Sequence, residues 1–356
     1  AEIDKVVDLF GFETIERSVI WVTIKESKAS FAIESEGREE DRIRRLARAM
    51  STHCGKIESA LTQEGMLEIQ QAVMGEKTVG ARLGIRRSPV FVGHTNSIFE
   101  PVIDYLAPHH ERVPEMMEGL RAFEQRTRGQ NPLLRAAALS FGFVYIHPLS
   151  DGNGRLSRFL INDILGRDGF LPAPVILPVS AVISENATRR AAYDTALEHL
   201  SRPLMATMNA VCKFGATVQH EDGVQSNLHV ADWHRGLATW RYADLTFQSE
   251  YLVDVIRHSI LHGLKDEAVY LRRYDIAVSC LKEIIEGRDE DYATIIRSLV
   301  TNLKVSAKLR KTYPGVFSDE VLVKRVERAV FKAFELLHDD GDDDDEVVPR
   351  LDVVAR

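Results

Sequence analysis

Cysteine is scarce in this chain. Cys54, Cys212 and Cys280 are the three cysteines in 356 residues, far apart and in no Cys-x-x-Cys spacing. That excludes a disulfide framework and a cysteine zinc site, and it suits a reducing compartment. Long apolar runs are also missing: the longest fall well short of the ~20 residues a membrane span needs. The opening AEIDKVVD lacks a basic-then-apolar leader. A soluble, cytoplasmic protein is expected. A basic excess is absent too. The net charge is −8, and seven of the acids fall in one run, Asp339, Asp340, Asp342 to Asp345 and Glu346. Without them 46 acids face 45 bases. A near-neutral body argues against a general nucleic-acid surface, and the acidic run reads as a solvated, disordered tail.

What the chain does have is helical periodicity. Residues 39–52 set Ile43, Leu46, Ala47 and Met50 at helical spacing among charges, and 64–75 repeat the pattern up to a glycine. Helices are expected again at 113–128, 133–146, 155–167 and 188–213, then at 241–263, 265–286, 289–303 and 318–338. Between Gly80 and Ala107 the pattern changes: Val90, Phe91 and Val92 form a short β-rich run before a turn at His94 to Ser97. That predicts one small hairpin. GATVQHEDGVQSN, residues 215–227, is polar and aperiodic and reads as a boundary. The expected fold is mainly α with one hairpin. It divides into a helical region at 1–75, a core at 76–215, a helical domain at 216–338 and a tail at 339–356.

One stretch does not look like packing: IHPLSDGNGRLSRFL, Ile146 to Leu160. The helix before it buries a face that includes Leu134, Leu139, Phe143 and Ile146, and Pro148 should stop it near His147. Ser150 to Gly154 is a loop whose glycines allow close backbone approach. A second helix begins near Arg155. A glycine loop feeding a helix N-terminus gathers unpaired N–H groups and a dipole end around one small volume. Arg155 and Arg158, three apart, leave the first turn on one side. The set suits a polyanion such as phosphate. Asp151 would repel it unless Mg²⁺, which prefers one or two carboxylates plus phosphate oxygens, lies between them. His147 is the neutral base of the cluster. Each part alone is more often a cap, a turn or a surface ion pair; their conjunction points to a site. No Lys-Ser/Thr follows the glycines, so this is not a Walker loop.

HPLSDGNGRLSR resembles the signature of the Fic family, His-x-Phe-x-Asp/Glu-Gly-Asn-Gly-Arg-x-x-Arg, with Leu149 where phenylalanine is usual. GIRRSPVFVG, PVIDYLAPHHERVPEMMEGL, FLPAPVILPVSAVI and YDTALEHLSRPLM resemble neighbouring family segments, and RYADLTFQSEYLVDVI the C-terminal extension of a bacterial subgroup. The resemblance implies a Fic-type helical core with a hairpin flap and helical extensions at both ends. It implies transfer of AMP from ATP to a Ser, Thr or Tyr hydroxyl of a protein, possibly itself, with release of pyrophosphate. His147 would be the base and Asp151 would hold Mg²⁺. Asn153 with the Gly152 and Gly154 backbone would line the anion hole, and Arg155 and Arg158 would grip the phosphates. Val90 to Val92 would dock the target, and Tyr193 is either an adenine contact or core. Another donor, removal of AMP, or a non-catalytic binding module on the same fold stay open, as does a homodimer.

Upstream, Ser30-Phe31-Ala32-Ile33-Glu34-Ser35 resembles the family's inhibitory helix, Ser/Thr-x-x-x-Glu-Gly/Asn, with Ser35 departing from it. The resemblance implies that Glu34 pairs with Arg158 in the place of a γ-phosphate. A helix cap followed by a surface glutamate is the plainer alternative.

Overall fold

The computed structural model describes residues 2–34, 40–75, 83–97 and 99–336. Ser35 and the acidic run at 339–356 lie outside them. Along the chain come α1 (Glu2–Phe10), α2 (Phe12–Ile33), α3 (Glu40–His53) and α4 (Gln63–Met74), then strands β1 (Phe91–Thr95) and β2 (Pro101–Leu106). Next are α5 (Val113–Arg126), α6 (Pro132–Ile146), α7 (Asn153–Arg167), α8 (Val179–Ile183) and α9 (Ala187–Met208). Strands β3 (Cys212–Gln219) and β4 (Gln225–Val230) precede α10 (Leu237–Arg241) and α11 (Thr246–His258), which runs into a π-helical turn at Ser259–Leu264. The chain closes with α12 (Lys265–Ile284), α13 (Asp289–Asn302), α14 (Ala307–Thr312), α15 (Pro314–Phe317) and α16 (Glu320–Ala333). No described helix is long and apolar enough to cross a membrane.

The described residues form two compact units that divide after Ala268. The division therefore falls at Ala268 and not near 215. Residues 212–230 pair instead as a second antiparallel hairpin, with register Cys212↔Val230 to Gln219↔Gln225 and a slip after Phe214. Most β3 side chains are exposed, so no apolar alternation marked the strand. The second unit has its own core, in which Ala277, Leu281, Ile295, Ile296, Leu299, Val326 and Val330 are buried.

In the first unit α6 and α7 are the central pair. Ala136, Leu139, Phe143, Phe159, Leu160, Ile164 and Leu165 are almost fully buried between them and their neighbours. Leu134, expected on that face, is 52% exposed, because it sits in the first turn of α6 before the helix enters the core. The Asn131 side chain caps α6 by accepting from the Leu133 N–H at 2.9 Å. At the far end of α7 the buried Arg135, Asp163 and Glu124 join the half-buried Arg167 and Asp168 in ion pairs of 2.6–2.9 Å. This network fixes the α6–α7 hairpin from behind and leaves its loop end for chemistry.

Candidate active site

The loop between α6 and α7 carries the sequence motif, and each part has a mechanical cause. The main chain reverses at His147, which takes the left-handed conformation with φ 52° and ψ 56°. Its ring Nδ1 lies 3.1 Å from the Val144 carbonyl. A carbonyl only accepts, so Nδ1 carries the proton and Nε2 is the basic nitrogen. Desolvation, aided by the Arg86 charge, pulls the imidazole down to about 4. It is therefore neutral at ordinary pH, as a base must be.

Gly152, with φ 87°, is the N-cap of α7; an L side chain there would be strained. Gly154 serves close approach. A Cβ on it would overlap the Glu34 Oε1 and stand 2.9 Å from the Glu34 Cδ. The Asn153 side chain has a different task from the one expected. Its Oδ1 accepts from the Leu149 N–H at 2.9 Å and its Nδ2 donates to the Leu149 carbonyl at 2.8 Å. Both ends brace the loop, which leaves the residue's backbone N–H as the group an anion could meet. Leu149, in the place of phenylalanine, is buried.

Asp151 accepts through Oδ1 from the Gly152 N–H at 2.6 Å and from Arg155 at 3.2 Å, with 43% of its side chain exposed. Both bonds fall on one oxygen. Arg155 is buried, its guanidinium 5.1 Å from the Phe31 ring centre. Arg158, 2% exposed, donates to Ser30 Oγ at 3.0 Å, to the Ser30 carbonyl at 3.1 Å and to Glu34 Oε1 at 2.8 Å. Its Nη1 is buried without a hydrogen-bond partner among the described residues. Burial would raise the Glu34 carboxyl, but Arg158, with Arg155 and His147, outweighs it and holds it below the usual range. A carboxylate thus sits on the positive end of α7, where a phosphate would be held.

Ser30 and Glu34 are brought to Arg158 across 128 and 124 residues of sequence. The helix that carries them is anchored twice more. Arg190 of α9 donates to the Ile33 carbonyl at 3.1 Å, closing the C-terminal end of α2. Glu26, fully buried, accepts from the Ser180 N–H at 2.6 Å and the Ala181 N–H at 3.4 Å, and from the Ser180 hydroxyl. Burial pushes its carboxyl up to about 7 despite those donors.

Tyr193 is buried and lines a small cavity with Arg158, Tyr251 and Phe141. The flap expected at Val90 to Val92 is the β1–β2 hairpin. It runs from Phe91↔Leu106 to Thr95↔Pro101 with a bulge after Val92; Val90 lies just before it, its carbonyl accepting from Ala107. Val92 is 51% exposed, while Phe91 stacks edge-on against Phe214 of β3.

Sequence reasoning missed three residues. Gln70 of α4 donates to the Asp151 carbonyl at 2.8 Å and accepts from the Gly84 N–H at 2.7 Å. Arg86 reaches the His147 carbonyl at 2.6 Å. Asp222, at the tip of the second hairpin, accepts from the Arg87 N–H at 2.8 Å and the Ser88 hydroxyl at 2.7 Å. Nothing local marks the last two: in GIRRSP, which holds Arg86 and the Arg87 and Ser88 that Asp222 binds, the arginines read as surface charge.

Comparison with known proteins converges on the same loop. The model of the Fic/DOC family matches residues 60–165, which hold α4, the flap hairpin and the whole α6–α7 motif. Residues 60–165 are a Fic/DOC domain. Among curated relatives, the protein adenylyltransferase fic-1 of Caenorhabditis briggsae is 36% identical over 118 residues, covering 33% of this chain and 21% of the relative. The protein adenylyltransferase Fic of Nematostella vectensis is 32% identical over 124 residues, covering 34% and 26%. The match thus spans about a fifth to a quarter of each relative's length. A Fic family protein of Desulfovibrio desulfuricans G20, known by crystal structure, overlaps 95% of this chain and 83% of its own at 18% identity and TM-score 0.43, too loose a likeness to argue from. The matched Fic/DOC span contains His147 to Arg158 but neither Glu34 nor Tyr193.

Proposed function

We propose that this protein is an adenylyltransferase that moves AMP from ATP onto a hydroxyl of a protein side chain, its own included, and that Glu34 restrains it. One observation carries the reading: a neutral His147 faces a helix N-terminus flanked by two buried arginines, and a carboxylate rests on that anion site. The curated relatives named protein adenylyltransferase support the choice of reaction.

The chemistry follows from the placement. The hydroxyl oxygen attacks the α-phosphorus of ATP, its proton passes to His147 Nε2, and the bond to the pyrophosphate oxygen breaks. A positioned base contributes roughly 10²–10⁴-fold. The α7 N–H groups at Gly152 to Gly154 take the growing charge on the phosphates. Arg158, its Nη1 without a hydrogen-bond partner among the described residues, grips the terminal phosphate, and Arg155 supports the chain. Asp151 fits a Mg²⁺ ion: its carboxylate is half exposed and both its bonds fall on Oδ1. The ion would neutralise phosphate charge there. The β1 edge, with β2 as its only sheet partner among the described residues, suits docking an extended target segment.

Glu34 competes for Arg158. A charge-assisted hydrogen bond is worth about 1.5–3 kcal/mol, and less here because 34% of the Glu34 side chain is exposed to screening solvent. About 1.4 kcal/mol is already a tenfold bias against the productive pose. Glu34→Gly is expected to raise self-modification about tenfold or more, read as AMP incorporated per hour from labelled ATP. Equal incorporation by variant and parent would remove Glu34 from the scheme.

A further inference from the structure

The buried guanidinium of Arg86 lies outside the motif, yet it hydrogen-bonds the turn that carries His147. We propose that Arg86 is a positioning residue: it closes the C-terminal end of α6 and so fixes the direction in which His147 presents Nε2. The proposal rests on the reading of His147 as the base.

A helix ends with carbonyls that have no partner within it. Here the problem is sharper, because Pro148 follows the catalytic histidine and has no N–H to offer. His147 also holds a left-handed conformation, φ 52°, which a non-glycine residue rarely adopts. Something must hold the turn in place. Arg86 Nε donates to the His147 carbonyl at 2.6 Å, and Nη2 donates to the Ile146 carbonyl at 3.3 Å and the Pro108 carbonyl at 2.6 Å. Nη1 reaches the Ser88 carbonyl at 3.1 Å. All three nitrogens are used, every acceptor is main chain, and the residue is 1% exposed. One planar fork thus joins the catalytic turn to the segments on both sides of the flap.

By holding the peptide plane after His147, Arg86 fixes its carbonyl carbon and so, through φ, where Cβ points, and the ring is then turned by the bond from Nδ1 to the Val144 carbonyl. If the fork is lost, that plane can rotate and the ring with it. A lysine keeps the charge but cannot supply a planar set of donors. The backbone has independent support in this region: the Arg86 N–H meets the Pro148 carbonyl at 3.0 Å, and the Ser150 N–H meets the Gly84 carbonyl at 3.1 Å. The fold should therefore survive loss of the side chain.

The test uses the full chain, as parent and as Glu34→Gly, each combined with Arg86→Gln, Arg86→Lys or His147→Ala. Three quantities are measured: kcat for AMP transfer, Kd for ATP, and the ring ¹⁵N shifts of His147. Arg86→Gln and Arg86→Lys are both expected to lower kcat by about 10–100-fold, the scale of a small misplacement at a reacting centre. ATP Kd should stay within about twofold, and the ¹⁵N shifts should show loss of the single Nδ1–H tautomer. Wild-type kcat in either variant overturns the proposal, including full rescue by lysine. Should Arg86→Gln fail to fold, Arg86→Lys decides alone by the same criteria. His147→Ala separates the two ideas. If it still transfers AMP, the base assignment fails, and the ¹⁵N shifts then decide Arg86: an unchanged tautomer in Arg86→Gln overturns its positioning role, and a lost one upholds it.

Discussion

At the scale of single residues, the site works by making one group neutral and its neighbours charged. His147 titrates near 4 in the fold against 6.5 ordinarily, because burial and Arg86 both disfavour the cation. The unfolded chain therefore takes up that proton first. This contribution to stability is complete above pH 6.5 and is lost as pH falls from 6.5 towards 4. In the proposed reaction the same shift would govern catalysis. The acid limb of kcat/KM reports the base in the unliganded enzyme, so transfer should stay flat well below pH 6.5. A limb centred at 6.5 would mean that His147 is not the desolvated base described here. Glu34 behaves in the opposite sense. Its carboxyl is held below 4.5, so its pairing with Arg158 is present above pH 4.5 and lost as pH falls through the lower, folded value. The melting-temperature difference between parent and Glu34→Gln should therefore be constant from pH 6 to 8 and should vanish in acid. A difference that changes through neutrality would point to another partner.

At the scale of elements, α2 carries the proposed brake, and three contacts seat it. Besides Glu34 on Arg158, Arg190 closes its last carbonyl and Glu26 holds the first N–H groups of α8. Arg190→Ala leaves that carbonyl without its charged donor. It should raise basal self-modification several-fold, less than Glu34→Gly does, with His147 and the phosphate cradle untouched. Measured incorporation at parent level would show that the end of α2 needs no such cap. The second hairpin acts on the other side of the site. Its tip residue Asp222 holds Arg87 and Ser88, directly before the flap strand. Asp222→Ala should raise KM for a protein target while leaving ATP Kd unchanged, which steady-state kinetics with each substrate varied would distinguish.

These elements also show what a sequence can carry. The α6–α7 loop was legible because its chemistry is contiguous: a histidine, an acid, two glycines and two arginines lie within a dozen positions, bounded by helical periodicity. Pairing of Glu34 with Arg158 was legible only through a short resemblance, since nothing local to either residue announces a partner 124 positions away. Arg86 was not legible. An arginine in GIRRSP reads as surface charge, and only the fold brings four carbonyls around it. The hairpin at 212–230 was missed because polar, exposed strands lack the alternation that burial imposes.

At the scale of the whole molecule, the candidate site lies in the unit before residue 269, while the described residues after it have a separate core. Two cores favour two melting transitions in calorimetry. A non-hydrolysable ATP analogue should raise only one of them, by about 2.7 kcal/mol of stabilisation at a hundred times its Kd. A shift of both would tie the second unit to nucleotide binding.

The central claim is that His147 drives AMP transfer from a cradle that Glu34 keeps occupied. Intact-mass spectrometry after incubation with ATP and Mg²⁺ tests it most directly, run on the parent, Glu34→Gly and the double variant Glu34→Gly/His147→Ala. The account expects slight AMP addition on the parent, abundant addition on Glu34→Gly and none on the double variant. AMP on the double variant at the level of Glu34→Gly, or none on any of the three or on proteins of a lysate added to them, would contradict it.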